Sequence, residues 1–213
     1  MRLLIVLLAL ALPAYADPAV GRLNTAGYNK IDMCTGSLIA PDLVLTAAHC
    51  VLNPTDGYAK HLDDMVFVAG WSKGRHTGAS RIIGATVHPL AFRNGHFDLA
   101  HDMAVVRLKD PLEVTPLAIG NSPPGGPLTI LGYTRSRQHE LTTSDNCVGH
   151  RHDKLWRIAC GAEQGQSGGP VVYGEGKARR IAAVLVATAD QQALAVPVDG
   201  WLRRLITASR NRD

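Results

Sequence analysis

Three side chains in this sequence have the types needed for nucleophilic acyl transfer. Ser167 sits in the run Gly165-Gln166-Ser167-Gly168-Gly169-Pro170, His49 in Leu45-Thr46-Ala47-Ala48-His49-Cys50, and Asp102 in His101-Asp102-Met103-Ala104-Val105-Val106. A serine hydroxyl is a weak nucleophile at neutral pH and needs a base within hydrogen-bond reach. Histidine suits that task because its ordinary pKa lies near neutrality. A carboxylate on the other ring nitrogen would fix the tautomer and stabilise the imidazolium. Each segment also has an ordinary reading. A histidine beside cysteine can be a packed core residue, an aspartate can open a strand, and a serine among glycines is commonly a turn. Their conjunction carries the signal.

The elements that must position these residues read as short strands between turn signals. Ser37–Ile39, Leu43–Thr46, Met65–Ala69, Arg81–His88, Met103–Leu108 and Leu128–Leu131 fit, as do Leu155–Ala159, Pro170–Tyr173, Ile181–Ala187 and Ala193–Val196. Such spacing predicts an all-β barrel or sandwich, not alternating β and α units. Gly174-Glu175-Gly176 reads as a hairpin tip. One helix is expected at the end, capped by Asp199, with Trp201, Leu202, Leu205 and Ile206 on its apolar face. Asn121 to Pro127 is the strongest break in the chain and divides it into 17–120 and 121–213.

Residues 1–16 read as a secretory signal: Arg2, the apolar run Leu3–Leu12, then Pro13 and Ala14-Tyr15-Ala16. No later stretch is long and apolar enough to span a bilayer, so the expected location is secreted or periplasmic, without membrane association after cleavage. The net charge of +4 is modest and spread along the chain. Arg179-Arg180 and Arg203-Arg204 are not interleaved with aromatics as a single-strand nucleic-acid groove would be, so no nucleic-acid partner is expected. In an exported chain the four cysteines read as disulfides. A zinc site at Cys147 with His150 and His152 is the rival, and the lack of close Cys-x-x-Cys pairs speaks against it.

The His49, Asp102 and Ser167 segments closely resemble, in the same order, those around the catalytic residues of chymotrypsin/trypsin-like serine proteases, especially the small bacterial secreted branch. The likeness is strongest in the first half and at the serine segment, and weak from Gln138 to Lys154. The resemblance implies two antiparallel six-stranded β-barrels with a C-terminal helix. It implies a serine endopeptidase, with His49 as base and then acid, Asp102 as its orienter and Ser167 as nucleophile through an acyl-enzyme. The amides of Gly165 and Ser167 would form the oxyanion hole. No cofactor or metal is implied; the substrate is a polypeptide and the protein a monomer. The family pairs the cysteines matching Cys34 and Cys50, which leaves Cys147 and Cys160 to each other.

Two departures matter. The residue before the nucleophile is an acid in zymogen-controlled relatives, where it pairs with a freed amine; here it is Gln166, and no activation site precedes Ala19-Val20-Gly21-Arg22. No cleavage beyond signal removal is therefore expected, with Gln166 making neutral hydrogen bonds. Counting back from Ser167 places Gly161 and Ala162 at the specificity pocket, with Glu163 off its floor and Val184, Leu185, Val186 and Ala187 as the far wall. That set predicts an apolar or narrowed pocket. Gln166 also motivates the alternative, a weak or inactive binding protein on a protease fold. A third reading is an esterase of small acyl substrates.

Overall fold

The structure, a computed structural model, describes residues 17–25, 32–121 and 125–210. The expected signal segment, residues 1–16, and the centre of the expected linker, residues 122–124, lie outside them.

Six strands form a closed antiparallel barrel: β1 (Val20–Thr25), β2 (Met33–Ala40), β3 (Leu43–Thr46), β4 (Met65–Ala69), β5 (Gly78–Val87) and β6 (Ala104–Leu108), in the order β1-β2-β3-β6-β5-β4. Strand periodicity explains the closure. Along β4, Met65, Phe67 and Ala69 are buried while Val66 and Val68 alternate with them. All four residues of β3 are buried.

The second half holds seven antiparallel strands: β7 (Leu128–Gly132), β8 (Thr142–Cys147), β9 (Gly149–His152), β10 (Leu155–Ile158), β11 (Pro170–Tyr173), β12 (Arg180–Ala189) and β13 (Gln192–Pro197). They run β8-β7-β11-β12-β13-β10-β9, and Ala118–Ile119 adds a short parallel pairing to β12. This sheet curls into a half-barrel with β8 and β9 at its edges; a disulfide ties Cys147, at the end of β8, to Cys160, beyond β10. Gly174 and Gly176 take positive φ at the β11–β12 connection, as the hairpin reading requires.

The main differences from the expected strands are β1, β8 and β9. Their sequences, VGRLNT, TTSDNC and GHRH, lack an apolar alternation; β8 and β9 are mostly exposed edge strands, while in β1 a buried glycine and a partly buried arginine interrupt the apolar period. In β1, Val20 pairs with Ser37 and Gly21 with Ala69, so Val20-Gly21-Arg22 lies inside the barrel.

One apolar core crosses between the halves. It joins Leu38, Val44, Phe67 and Val106 to Tyr133, Val184, Val186, Leu202 and Ile206. A second cluster, including Ile130, Trp156, Ile158 and Val171, fills the half-barrel. Each fully buried aliphatic side chain contributes about 1.5–3 kcal/mol, so the shared core resists separation of the halves. Helix α1 (Gly200–Arg210) starts where Asp199 Oδ1 accepts the Leu202 amide at 3.0 Å, and buries Leu202 and Ile206. Among the described residues no helix is long and apolar enough to cross a membrane.

Candidate active site

His49 lies in a 3₁₀ turn, Ala48–Cys50, directly after β3, and Asp102 closes another, Leu99–His101, directly before β6. β3 and β6 pair antiparallel through Thr46 and Ala104, so the two turns emerge side by side. Asp102 Oδ1 accepts the His49 amide at 2.9 Å and Oδ2 lies 2.6 Å from His49 Nδ1. The Asp102 side chain is fully buried and that of His49 is 26% exposed. An ionised carboxylate only accepts, so Nδ1 carries the proton and Nε2 keeps a lone pair for proton transfer. Burial of the charge is offset by these two donors.

Ser167 comes from the loop between β10 and β11 and lines one cavity with His49, Cys50 and Gly165. β2 holds that loop in place. The Thr35 amide donates to Ser167 O at 2.8 Å, and the Thr35 hydroxyl donates to Gly165 O at 2.9 Å while accepting the Tyr133 amide at 3.0 Å. Gly165 has φ +102 and Gly168 φ +82, the left-handed region that glycine tolerates. A Cβ on Gly168 would lie 2.1 Å from Thr46 Oγ1 and 2.2 Å from Thr35 O. Among the described residues, neither the Gly165 nor the Ser167 amide donates to a protein acceptor.

Gln166 is buried. Its Oε1 accepts the Glu163 amide at 2.8 Å and its Nε2 donates to Thr142 Oγ1 at 3.1 Å, while the Thr142 hydroxyl donates to Gly132 O. A neutral amide thus ties the serine loop to β8.

A cavity of about 230 Å³ beside Ser167 is lined by Ala162, Glu163, Gln164, Leu185, Ala187 and Thr188. The Thr188 hydroxyl donates to Ala162 O across it at 3.0 Å. Of the residues expected at a pocket, Ala162, Leu185 and Ala187 are here. Val184 and Val186 are not: neighbouring side chains on a strand face opposite ways, and these two enter the shared core. Gly161 is exposed and is not among the residues that line this cavity. Glu163, expected off the pocket floor, is among the residues lining the cavity, and its Oε2 accepts the Ser136 hydroxyl at 2.6 Å. Thr35, Gln164 and Thr188 gave no signal in the sequence, since polar residues near strand ends acquire these roles only through packing.

Both cysteine pairings are present, Cys34–Cys50 and Cys147–Cys160. Cys147 therefore has no thiolate to share with His150 and His152. Among the described residues, the set of potential ligand atoms converging within 4.8 Å is Cys34, His49 and Cys50, two of which form a disulfide.

The site can be set beside known proteins. A curated relative, putative protease Do-like 14 of Arabidopsis thaliana, is 27% identical over 205 residues. The alignment takes in 87% of this chain and 44% of the relative, so the chain spans less than half the relative's length. Two solved structures share the fold, each at TM-score 0.76 and 17% identity over 92% of this chain. One is a thermostable serine protease from an extremophilic microorganism, 99% covered, and the other a Glu endopeptidase in complex with MPD, 91% covered. The profile of the trypsin-like peptidase domain matches residues 34–179, which take in all three candidate residues. With that match over more than half of its length, the chain belongs to the trypsin-like peptidase family.

Proposed function

We propose that this peptidase is an exported serine endopeptidase. His49 takes the Ser167 proton as the hydroxyl attacks the peptide carbonyl, and returns it to the leaving amine; water then releases the acyl group by the same route. The oxyanion that forms is held by the Gly165 and Ser167 amides, each worth about 2.7–4 kcal/mol in the transition state. The side chain before the cleaved bond enters the Leu185–Thr188 cavity. The observation that carries this reading is the fully buried Asp102, bonded to both the backbone and ring of a His49 that opens onto the same cavity as Ser167.

Two disulfides support an oxidising compartment, secreted or periplasmic. The hydrogen bonds of Gln166 support activity without a second cleavage, because the serine loop is tied down with no freed amine. Residues 17–120 and 121–213 act as two units that each supply one wall of the cleft.

The test is intact mass before and after a fluorophosphonate, with Ser167→Ala as control. One adduct on the folded wild type and none on the variant supports the reading. No adduct on folded, disulfide-bonded protein favours a binding protein on a protease scaffold. The untreated mass reports the mature N-terminus.

A further inference from the structure

The cleft does not end at Ser167. Met33, Gln164 and Gly165 line both the cavity that holds His49 and Ser167 and a second one, of about 170 Å³, that reaches Arg22 and Arg135. With the residue before the cleaved bond in the Leu185–Thr188 cavity, and the carbonyl oxygen at Gly165 and Ser167, the chain after the bond leaves past Met33 towards these two arginines.

Among the described residues their partners are all neutral. Arg22, on β1, is partly buried; it donates through Nη1 to Gln138 O at 2.8 Å and through Nε to Asn24 Oδ1 at 3.1 Å, and lies 5.8 Å from the Trp71 ring centroid. Burial lowers its pKa, with no carboxylate among the causes, yet a guanidinium remains charged. Arg135 donates through Nη1 to Gln164 Oε1 at 2.9 Å. Among the described residues neither forms an ion pair, and the one acid on this lining is Asp32, which is exposed. Lys60 adds a third cation to the adjoining cavity. A partly desolvated guanidinium held by neutral acceptors is preorganised for a carboxylate, which offers two charge-assisted bonds in fork geometry.

The geometry points to a leaving-side subsite, built by Arg22 and Arg135, for a carboxylate just after the cleaved bond. The inference rests on the protease reading above. The carboxylate is an Asp or Glu side chain within the first few residues of the leaving segment, or the substrate's own C-terminus.

The test begins with digestion of a mixed peptide library and sequencing of the products, which locates the best-cleaved bond and any acidic enrichment after it. Quenched peptides of that sequence then carry Glu, Gln or Lys at the enriched position, each with a free or amidated C-terminus. The expected result is kcat/KM higher for Glu than for Gln by about tenfold or more, with Lys lowest. Arg135→Gln, at an exposed position, collapses the Glu-to-Gln ratio towards one. Arg22→Lys, which keeps the charge but loses the fork, reduces it in part. A free-acid advantage without a side-chain effect assigns the subsite to the terminal carboxylate. Equal rates for all peptides on protein that takes the fluorophosphonate overturn this inference alone; failure to take the fluorophosphonate overturns the protease reading with it.

Discussion

Gln166 shows how much one atom decides. Its Nε2 donates to Thr142 Oγ1, whose own proton is committed to Gly132 O. Gln166→Glu would set a carboxylate oxygen against that hydroxyl oxygen, buried and without an ammonium to pair with. Leaving such a group unsatisfied costs about 1–3 kcal/mol or more, and each kcal/mol lowers Tm by about 2–4 °C in a chain of this size. A thermal melt of the variant should show that loss, whereas an unchanged Tm would mean that a cation reaches the site. The same substitution restores the acid of zymogen-controlled relatives, so the family residue is predicted to harm this member. Asp102 and His49 stood out in the sequence only in conjunction with the Ser167 segment and its family order, and the structure brings the two together. Thr35 did not stand out, because its importance comes from touching Gly165 and Ser167.

Single elements carry the next pair of predictions. The serine loop is pressed against β2 and β3 at Gly168, where a Cβ would overlap Thr46 Oγ1 and Thr35 O and the φ of +82 disfavours any side chain. Gly168→Ala should therefore abolish fluorophosphonate labelling while both disulfides persist. Gly161→Ala, whose Cβ would meet nothing nearer than Gln191 O at 3.9 Å, should label like wild type. Helix α1 offers a second case. Asp199 caps it through Oδ1 and, through Oδ2, lies 3.1 Å from Nε2 of His88, whose Nδ1 accepts the Leu90 amide. His88 also stacks on His101 and meets the edge of Trp201. Burial lowers the His88 pKa, and the attraction of Asp199 and Asp98 only partly offsets this, with His101 adding to the lowering. The unfolded chain therefore takes up a proton as pH falls through about 6.5, before the folded protein does. Across that window the unfolded state binds more protons, so stability is full above about pH 6.5 and falls on acidification. Melts from about pH 7 to about pH 5 should show a steeper decline in wild type than in His88→Gln; parallel slopes would exclude His88 as a source.

At the scale of the whole molecule, the shared core holds the two halves of the cleft in register, and each disulfide braces the half that contains it. Cys34–Cys50 closes 16 residues around His49, and such a loop is worth about 3 kcal/mol on the chain-entropy account. Replacing both cysteines by alanine should lower Tm by about 6–12 °C. It should also cost more labelling at Ser167 than loss of Cys147–Cys160, which pins strands away from His49; equal losses would mean that the first bridge does not organise the site. Much of this architecture could be read from the chain. Val-, Ile- and Leu-rich runs between turn residues marked most of the strands, and the capped amphipathic end marked α1. The edge strands β8 and β9 escaped because exposed strands bury too little to impose an apolar period. Pocket membership was legible only in part: Leu185 and Ala187 line the cavity, Leu185 also packing into the half-barrel cluster, while Val184 and Val186 join the core shared by the two halves, a division set by strand phase and a register shift in the β12–β13 pairing. The sequence by itself determined the chemical kinds present and their family order, because those follow from local segments. Only the tertiary structure decided which groups meet, since the contacts of Thr35 with the serine loop and of Arg22 with Gln138 join residues more than a hundred positions apart.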